Sequence, residues 1–205
     1  SRIDEAIDIL KKALAIGKKA EDIHMALGFC YSEKGDKKAA IEEYKESIAI
    51  APMNPKAYFY LGAMYEDTGD RVEAVRHLKR AIELNPDDPE ALNYLGYIYA
   101  EGNENLDEAD RLIRKALSIN PGNGAYTDSL GWVYYKKGMF KEARTELEKA
   151  KDLIGDDPVV YDHLGDVYLQ TGDIDKARDS WERSLALKDN ESVRKKLESL
   201  KTGAQ

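Results

Sequence analysis

Cysteine is almost absent from this chain: its 205 residues include one, Cys30. A lone thiol excludes an internal disulfide framework and any cysteine-based metal site. Proline is scarce, at 6, and no apolar run approaches the roughly 20 residues a membrane-spanning helix needs. The opening Ser1-Arg2-Ile3-Asp4 is expected to start a helix rather than a secretion signal. Basic residues fall short of acidic ones, 31 against 39, for a net charge of −8. That balance argues against a nucleic-acid partner, which draws on clustered Lys and Arg. What remains, 34% charged and 42% hydrophobic, is the composition of an ordered, helix-leaning protein.

Against this spare background one phrase recurs. The chain contains ALGFCYSEKG at 26–35, YLGAMYEDTG at 60–69, YLGYIYAEGN at 94–103, SLGWVYYKKG at 129–138 and HLGDVYLQTG at 163–172. Gly28, Gly62, Gly96, Gly131 and Gly165 are therefore spaced by 34, 34, 35 and 34 residues. Ala6, Ala40, Ala74, Ala109, Ala143 and Ala177 keep the same steps, as do Ala13, Ser47, Ala81, Ala116, Ala150 and Ser184. Three registers that shift together define a repeat.

Each unit is expected to hold two helices. Tyr58, Leu61, Gly62 and Tyr65 share one face of the first, and Ala74, Leu78, Ala81 and Ile82 one face of the second. Asn54-Pro55, Asp88-Pro89 and Asp157-Pro158 set an N-cap before a proline suited to the first turn. Gly35-Asp36, Gly69-Asp70 and Gly172-Asp173 pair a left-handed C-terminal glycine with the next N-cap. Pro52, Pro86 and Pro121 close second helices.

On these residues the chain resembles the tetratricopeptide repeat, a 34-residue helix–turn–helix unit. The resemblance implies an all-α fold, a right-handed superhelical solenoid of antiparallel helix pairs. It would run as one domain over residues 1–201, with full units at 21–54, 55–88, 89–123, 124–157 and 158–191. Residues 1–20 match the second half of a truncated unit, 190–201 a capping helix, and 202–205 a tail. Leu-Gly-x-x-Tyr is then structural: Gly and Ala stand where backbones approach closely, and Leu and Tyr fill the space between.

The third unit has 13 residues between Gly96 and Ala109 where the others have 12. Its Asn103, Asn105 and Asp107 imitate the start of a calcium loop, but Glu108 and Arg114 stand where Gly and Glu would be required. A lengthened turn is expected. Nor is there catalytic patterning. His24, His77 and His163 lie in different units without a histidine four residues away, Cys30 is on another face from His24, and no phosphate loop or nucleophile elbow occurs. No cofactor, metal or enzymatic activity is expected.

In the family the first helix of each unit lines a concave groove that takes peptides or protein segments. The informative residues are those the repeat does not dictate. The slot after the repeated glycine holds Phe29, Ala63, Tyr97, Trp132 and Asp166, and the slot one turn earlier Met25, Phe59, Asn93, Asp128 and Asp162. With Tyr135, these give an apolar, aromatic track (Met25, Phe29, Phe59, Tyr97, Trp132, Tyr135) that turns acidic at Asp128, Asp162 and Asp166. Trp132 is expected to be an exposed anchor whose loss leaves the fold intact. Some family members grip a terminal carboxylate with a Lys/Asn/Arg clamp in these slots; here only Asn93 fits, so such a clamp is not expected. The implied role is a protein-binding scaffold for a segment with apolar anchors. The alternatives are a self-assembling structural scaffold that uses its ends and convex face and, more distantly, an enzyme.

Two further expectations concern the ends. Ile3, Ile7, Leu10 and Leu14 form an apolar stripe whose usual cover, a preceding helix, is missing, so self-association through the first helix is expected. Residues 128–150 and 163–181 are similar to the C-terminal repeats of bacterial envelope tetratricopeptide lipoproteins. That resemblance implies a periplasmic setting with an anchor upstream of Ser1, the cytoplasm being the alternative.

Overall fold

The computed structural model describes residues 2–17 and 20–202, and these form twelve α-helices with no strand among them. In order they are α1 (Arg2–Ala15), α2 (Ala20–Lys34), α3 (Lys37–Ile50), α4 (Pro55–Asp67), α5 (Arg71–Leu84) and α6 (Pro89–Glu101). Then follow α7 (Leu106–Ile119), α8 (Gly124–Lys136), α9 (Phe140–Ile154), α10 (Pro158–Gln170), α11 (Ile174–Leu187) and α12 (Glu191–Thr202). The end of the expected tail, beyond Thr202, lies outside the described residues. The chain divides within α6 into two compact units, Ser1–Ala91 and Leu92–Gln205.

Within each unit the helices pair through the repeated glycine. A β-carbon at Gly28, Gly62, Gly96, Gly131 or Gly165 would fall under 3.0 Å from Tyr44, Leu78, Ile113, Leu147 or Trp181 respectively. Each of those side chains belongs to the following helix and lies 16 residues on, or 17 for Ile113, where the turn is longer. The glycine thus lets a large apolar side chain lie on bare backbone, and the burial of those side chains drives pairing. Ala40, Ala74, Ala109, Ala143 and Ala177, all fully enclosed, serve the same close approach from the second helix.

The tyrosine of the phrase marks the helix end. The carbonyls of Tyr31, Tyr65, Tyr99, Tyr134 and Tyr168 each accept from the amide five residues on, at 2.9 Å in every case. This closure requires a left-handed residue, supplied by Gly35, Gly69, Gly138 and Gly172. In the lengthened turn Asn103 and Asn105 take that conformation instead, with φ of 53° and 48°, which asparagine tolerates better than most residues. The next helices start on side-chain caps: Asp36 accepts from Ala39, Asp70 from Glu73, and Asp157 from Val159 and Val160. Asp173 differs from expectation. It occupies the N-cap position without capping, because Arg144 holds its carboxylate at 2.7 Å.

The first unit contains α1–α5 and the start of α6. Ala40, Ile41, Tyr44, Leu61 and Met64 form one buried cluster, on which Met25, Tyr60 and Tyr65 pack. The apolar stripe on α1 packs within this unit, with Ile7 buried and Ile3, Leu10 and Leu14 partly so. Ile3, Ile7, Leu10 and Leu14 pack with Ile23, Leu27, Cys30 and Tyr31 of α2. In the second unit Trp181 is enclosed beneath Gly165, and Val193 and Leu197 bury the inner face of α12.

Candidate functional site

The first helices of the second unit, with α12, line a cavity. It measures about 550 Å³ and is lined by Tyr97 and Glu101 from α6, Trp132, Tyr135 and Lys136 from α8, Asp162, His163 and Asp166 from α10, and Lys196 from α12. Five of the ten expected site residues, Tyr97, Trp132, Tyr135, Asp162 and Asp166, line this space. Asn93 and Asp128 line a smaller neighbouring cleft with Tyr97, Ile154 and Val160. Here the Asn93 Oδ1 is enclosed without a hydrogen-bond partner.

The remaining three residues lie in the first unit. Phe29 is 55% exposed on α2, Met25 packs into the buried cluster, and Phe59 stands edge-on to Tyr60 at 5.3 Å.

Trp132 is not the exposed anchor expected from its slot. Only 7% of it is accessible, and its ring stacks on His163 at 4.0 Å and on Tyr135 at 4.8 Å. The indole Nε1–H donates to the Glu101 carboxylate, and the Lys136 ammonium stands 4.6 Å from the ring centroid. The physical reason is the histidine of the next unit, which offers a flat partner that the repeat pattern does not reveal. Trp132 forms the cavity's floor, while Tyr97 and Tyr135 are half-buried on its walls.

Asp128 departs from expectation for the same reason. It is not a rim charge: at 6% exposure it lies behind the stack, 3.0 Å from His163 Nδ1. Burial alone would push the His163 pKa down. The Asp128 carboxylate, aided by Asp162 and Asp166, more than offsets this and holds it above the usual imidazole value. In the first unit His77, stacked on Tyr65 at 5.4 Å, goes the other way, lowered by burial and then by Arg76.

The two histidines therefore oppose each other in linkage. The His163 contribution to stability is complete below the unfolded imidazole pKa and is lost as pH rises through its raised folded value. The His77 contribution is present above the unfolded pKa and lost as pH falls through its lowered folded value. An NMR titration of the ring signals should show His77 losing its proton before His163 as pH rises. The reverse order would contradict this account of the stack.

The acidic end is held by a residue with no place in the repeat pattern. Lys196 of α12 donates from Nζ to Asp162 and to Asp166, each at 2.7 Å. Burial raises the Asp166 pKa, against the pull of Lys196 in the opposite direction. Burial also works against the Lys196 ammonium, but Asp166 and then Asp162 more than compensate and raise its pKa. Burial, followed by the carboxylates of Glu101, Asp128 and Asp162, raises the Tyr97 phenol.

Ser184, the hydroxyl on the same wall, donates to the Pro158 carbonyl at 2.7 Å. Among the described residues no three His, Cys, Asp or Glu converge as a metal site, and no helix is long and apolar enough to cross a membrane. What the arrangement offers is a concave surface with aromatic walls and, at one end, the Asp162–Asp166 pair under Lys196, with Lys188 also on the lining.

Comparison with known proteins accounts for the repeats. Residues 31–69 and 64–102 match the family profile described as TPR repeat, and 89–123, 128–157 and 159–191 the one described as tetratricopeptide repeat. A TPR repeat-containing protein of Pseudomonas aeruginosa is 36% identical over 67 residues, which cover 33% of this chain and 11% of that protein. The chain thus spans about a tenth of the curated relative it matches.

Among solved structures, the MamA protein is 26% identical with a TM-score of 0.66, the match covering 82% of this chain and 91% of that one. A chain of the APC/C hetero-tetramer Cut9–Hcn1 is 22% identical with a TM-score of 0.84, over 99% of this chain and 40% of that one. A thermophilic TPR protein of Thermus thermophilus is 21% identical with a TM-score of 0.73, over 88% of this chain and 98% of that one. The glycine-seated helix pairs and the profile matches agree: the chain belongs to the tetratricopeptide repeat family, all-α superhelical solenoids whose fold in general supports a protein–protein interaction scaffold.

Proposed function

We propose that the protein is a non-catalytic scaffold whose second unit binds an extended segment of a partner protein in the cavity between α6, α8, α10 and α12. The single observation that carries this reading is the company kept in that cavity. Half-buried Tyr97 and Tyr135 stand on the same wall system as Asp162 and Asp166. Tyrosine supplies apolar area at low entropic cost, and such residues usually dominate interface energetics. The carboxylates would orient the segment by drawing its basic end toward α10, acting more on encounter and register than on affinity.

The neighbouring Asp128–His163 pair supports the site from below, stacking on Trp132 and fixing the floor against which the tyrosines stand. The aromatic residues of the first unit, Phe29 and Phe59, are a further surface for the same kind of apolar contact.

Selection from a random peptide library on the purified protein tests the reading. Enriched peptides should combine aromatic or aliphatic residues with Lys or Arg. Tyr97→Ala and Asp162→Asn should each weaken their binding, with Tyr97→Ala costing about 2 kcal/mol, the scale of an interface hot spot. Enriched peptides that bind both variants as well as the parent would place recognition elsewhere.

A further inference from the structure

The acidic end of the cavity is already occupied by the chain itself. Lys196 reaches from α12 into the space between α8 and α10, and its one ammonium bridges Asp162 and Asp166. Its side chain is 29% exposed, so it lies at the mouth rather than in the core. The helix that carries it is separately anchored by Val193 and Leu197, both buried. The side chain can therefore leave the carboxylates by rotation about its own four-carbon stem while α12 stays docked.

From this arrangement we infer that Lys196 is an intramolecular competitor: it covers the Asp162–Asp166 pair in the free protein and swings out when an arginine of the partner segment takes its place. This inference rests on the peptide-binding reading of the cavity given above and specifies what that cavity selects.

Three observations favour arginine as the incoming group. The lysine ammonium has three donors and divides them between two carboxylates, whereas a guanidinium has five in a planar fork suited to carboxylate pairs. The Asp166 carboxylate is only 11% exposed, so it gains from a donor set better than the single bond it now receives. Its pKa stays above the ordinary carboxylate value even with Lys196 beside it, so the resident cation only partly offsets the cost of burial.

The cover would also guard the site. A carboxylate pair with Asp166 buried and Asp162 partly so would repel itself if left open, so the free protein keeps a cation in place until a better one arrives. The cost is a lower apparent affinity, in proportion to the fraction of time the pair is uncovered.

The test uses a capped synthetic peptide with one arginine flanked by leucine and tyrosine, and its twin with citrulline, which keeps the shape without the charge. Affinities are measured for the full chain and for Lys196→Gln and Lys196→Arg. If the pair is covered nine-tenths of the time, Lys196→Gln should bind the arginine peptide up to about tenfold more tightly than the parent. The citrulline peptide should gain little.

Lys196→Arg keeps the charge and covers the pair more firmly, so it should bind the arginine peptide several-fold more weakly; a lysine that only braces α12 would leave that variant unchanged. Equal binding of the arginine peptide by the parent and both variants overturns the competitor role while leaving the cavity reading intact. If no version binds either peptide at millimolar concentration, the cavity reading fails and this inference fails with it.

Discussion

Trp132→Ala is expected to cost about 3–5 kcal/mol of folding stability, the range for removing a large aromatic side chain from a packed interior. The ring stacks on His163 and on Tyr135, has the Lys136 ammonium over it, and commits its Nε1–H to Glu101. Alanine would leave a void beneath the cavity, an unbonded carboxylate at Glu101 and a buried Asp128–His163 pair with no lid. Trp132→Phe should cost less, because it retains a stacking face and loses mainly the bond to Glu101. Urea denaturation followed by circular dichroism measures both. An alanine variant as stable as the parent but impaired in peptide binding would restore the tryptophan to an exposed contact role.

The second large effect is expected at the Gly165–Trp181 contact. Trp181 is only 1% exposed, and its indole lies where a β-carbon on residue 165 would have to go. Trp181→Ala should therefore cost about 3–5 kcal/mol by cavity formation. Gly165→Ala should cost about 1–3 kcal/mol by overpacking, since the enclosed indole has nowhere to shift.

The two changes are in direct contact and should not add. In the Trp181→Ala background the methyl group of Gly165→Ala enters vacated space, so the double variant should be no less stable than Trp181→Ala alone. Strict additivity would show that the glycine is not there to seat the tryptophan. The same cycle applied to Gly62 and Leu78 should give a smaller coupling, because a branched aliphatic end yields more easily than an indole.

These cases also mark how far the sequence could be read. Everything periodic was legible. The glycines at 34-residue steps pointed to close helix approach, and the cap pairs located helix starts, Asp173 included, although its carboxylate goes to Arg144 instead of capping. The displaced register after Gly96 indicated a longer turn, although not that two asparagines would adopt left-handed conformations there.

What could not be read were contacts made between units of the repeat by residues the repeat does not specify. His163 stands 35 residues after Asp128, and nothing in either unit alone announces that their side chains meet. Because they do, Trp132 is drawn into a stack and Asp128 is withdrawn from the surface. Lys196 was equally hidden, since it lies on the closing helix and has no counterpart slot in earlier units. On α1 the apolar stripe was legible, but not that Ile23, Leu27, Cys30 and Tyr31 of α2 pack with it.

The central claim, that the second unit's cavity is the docking site, is tested most directly by the two tryptophans of the chain. Each contributes one indole N–H signal to a proton–nitrogen NMR spectrum. Trp132 forms the cavity floor, and the Trp181 indole is packed against Gly165. Titration with a library-selected peptide should move the Trp132 indole signal and the backbone amides of Asp162–Asp166 while leaving the Trp181 indole signal in place. A peptide that binds while the Trp132 signal and those amides stay still would contradict the claim.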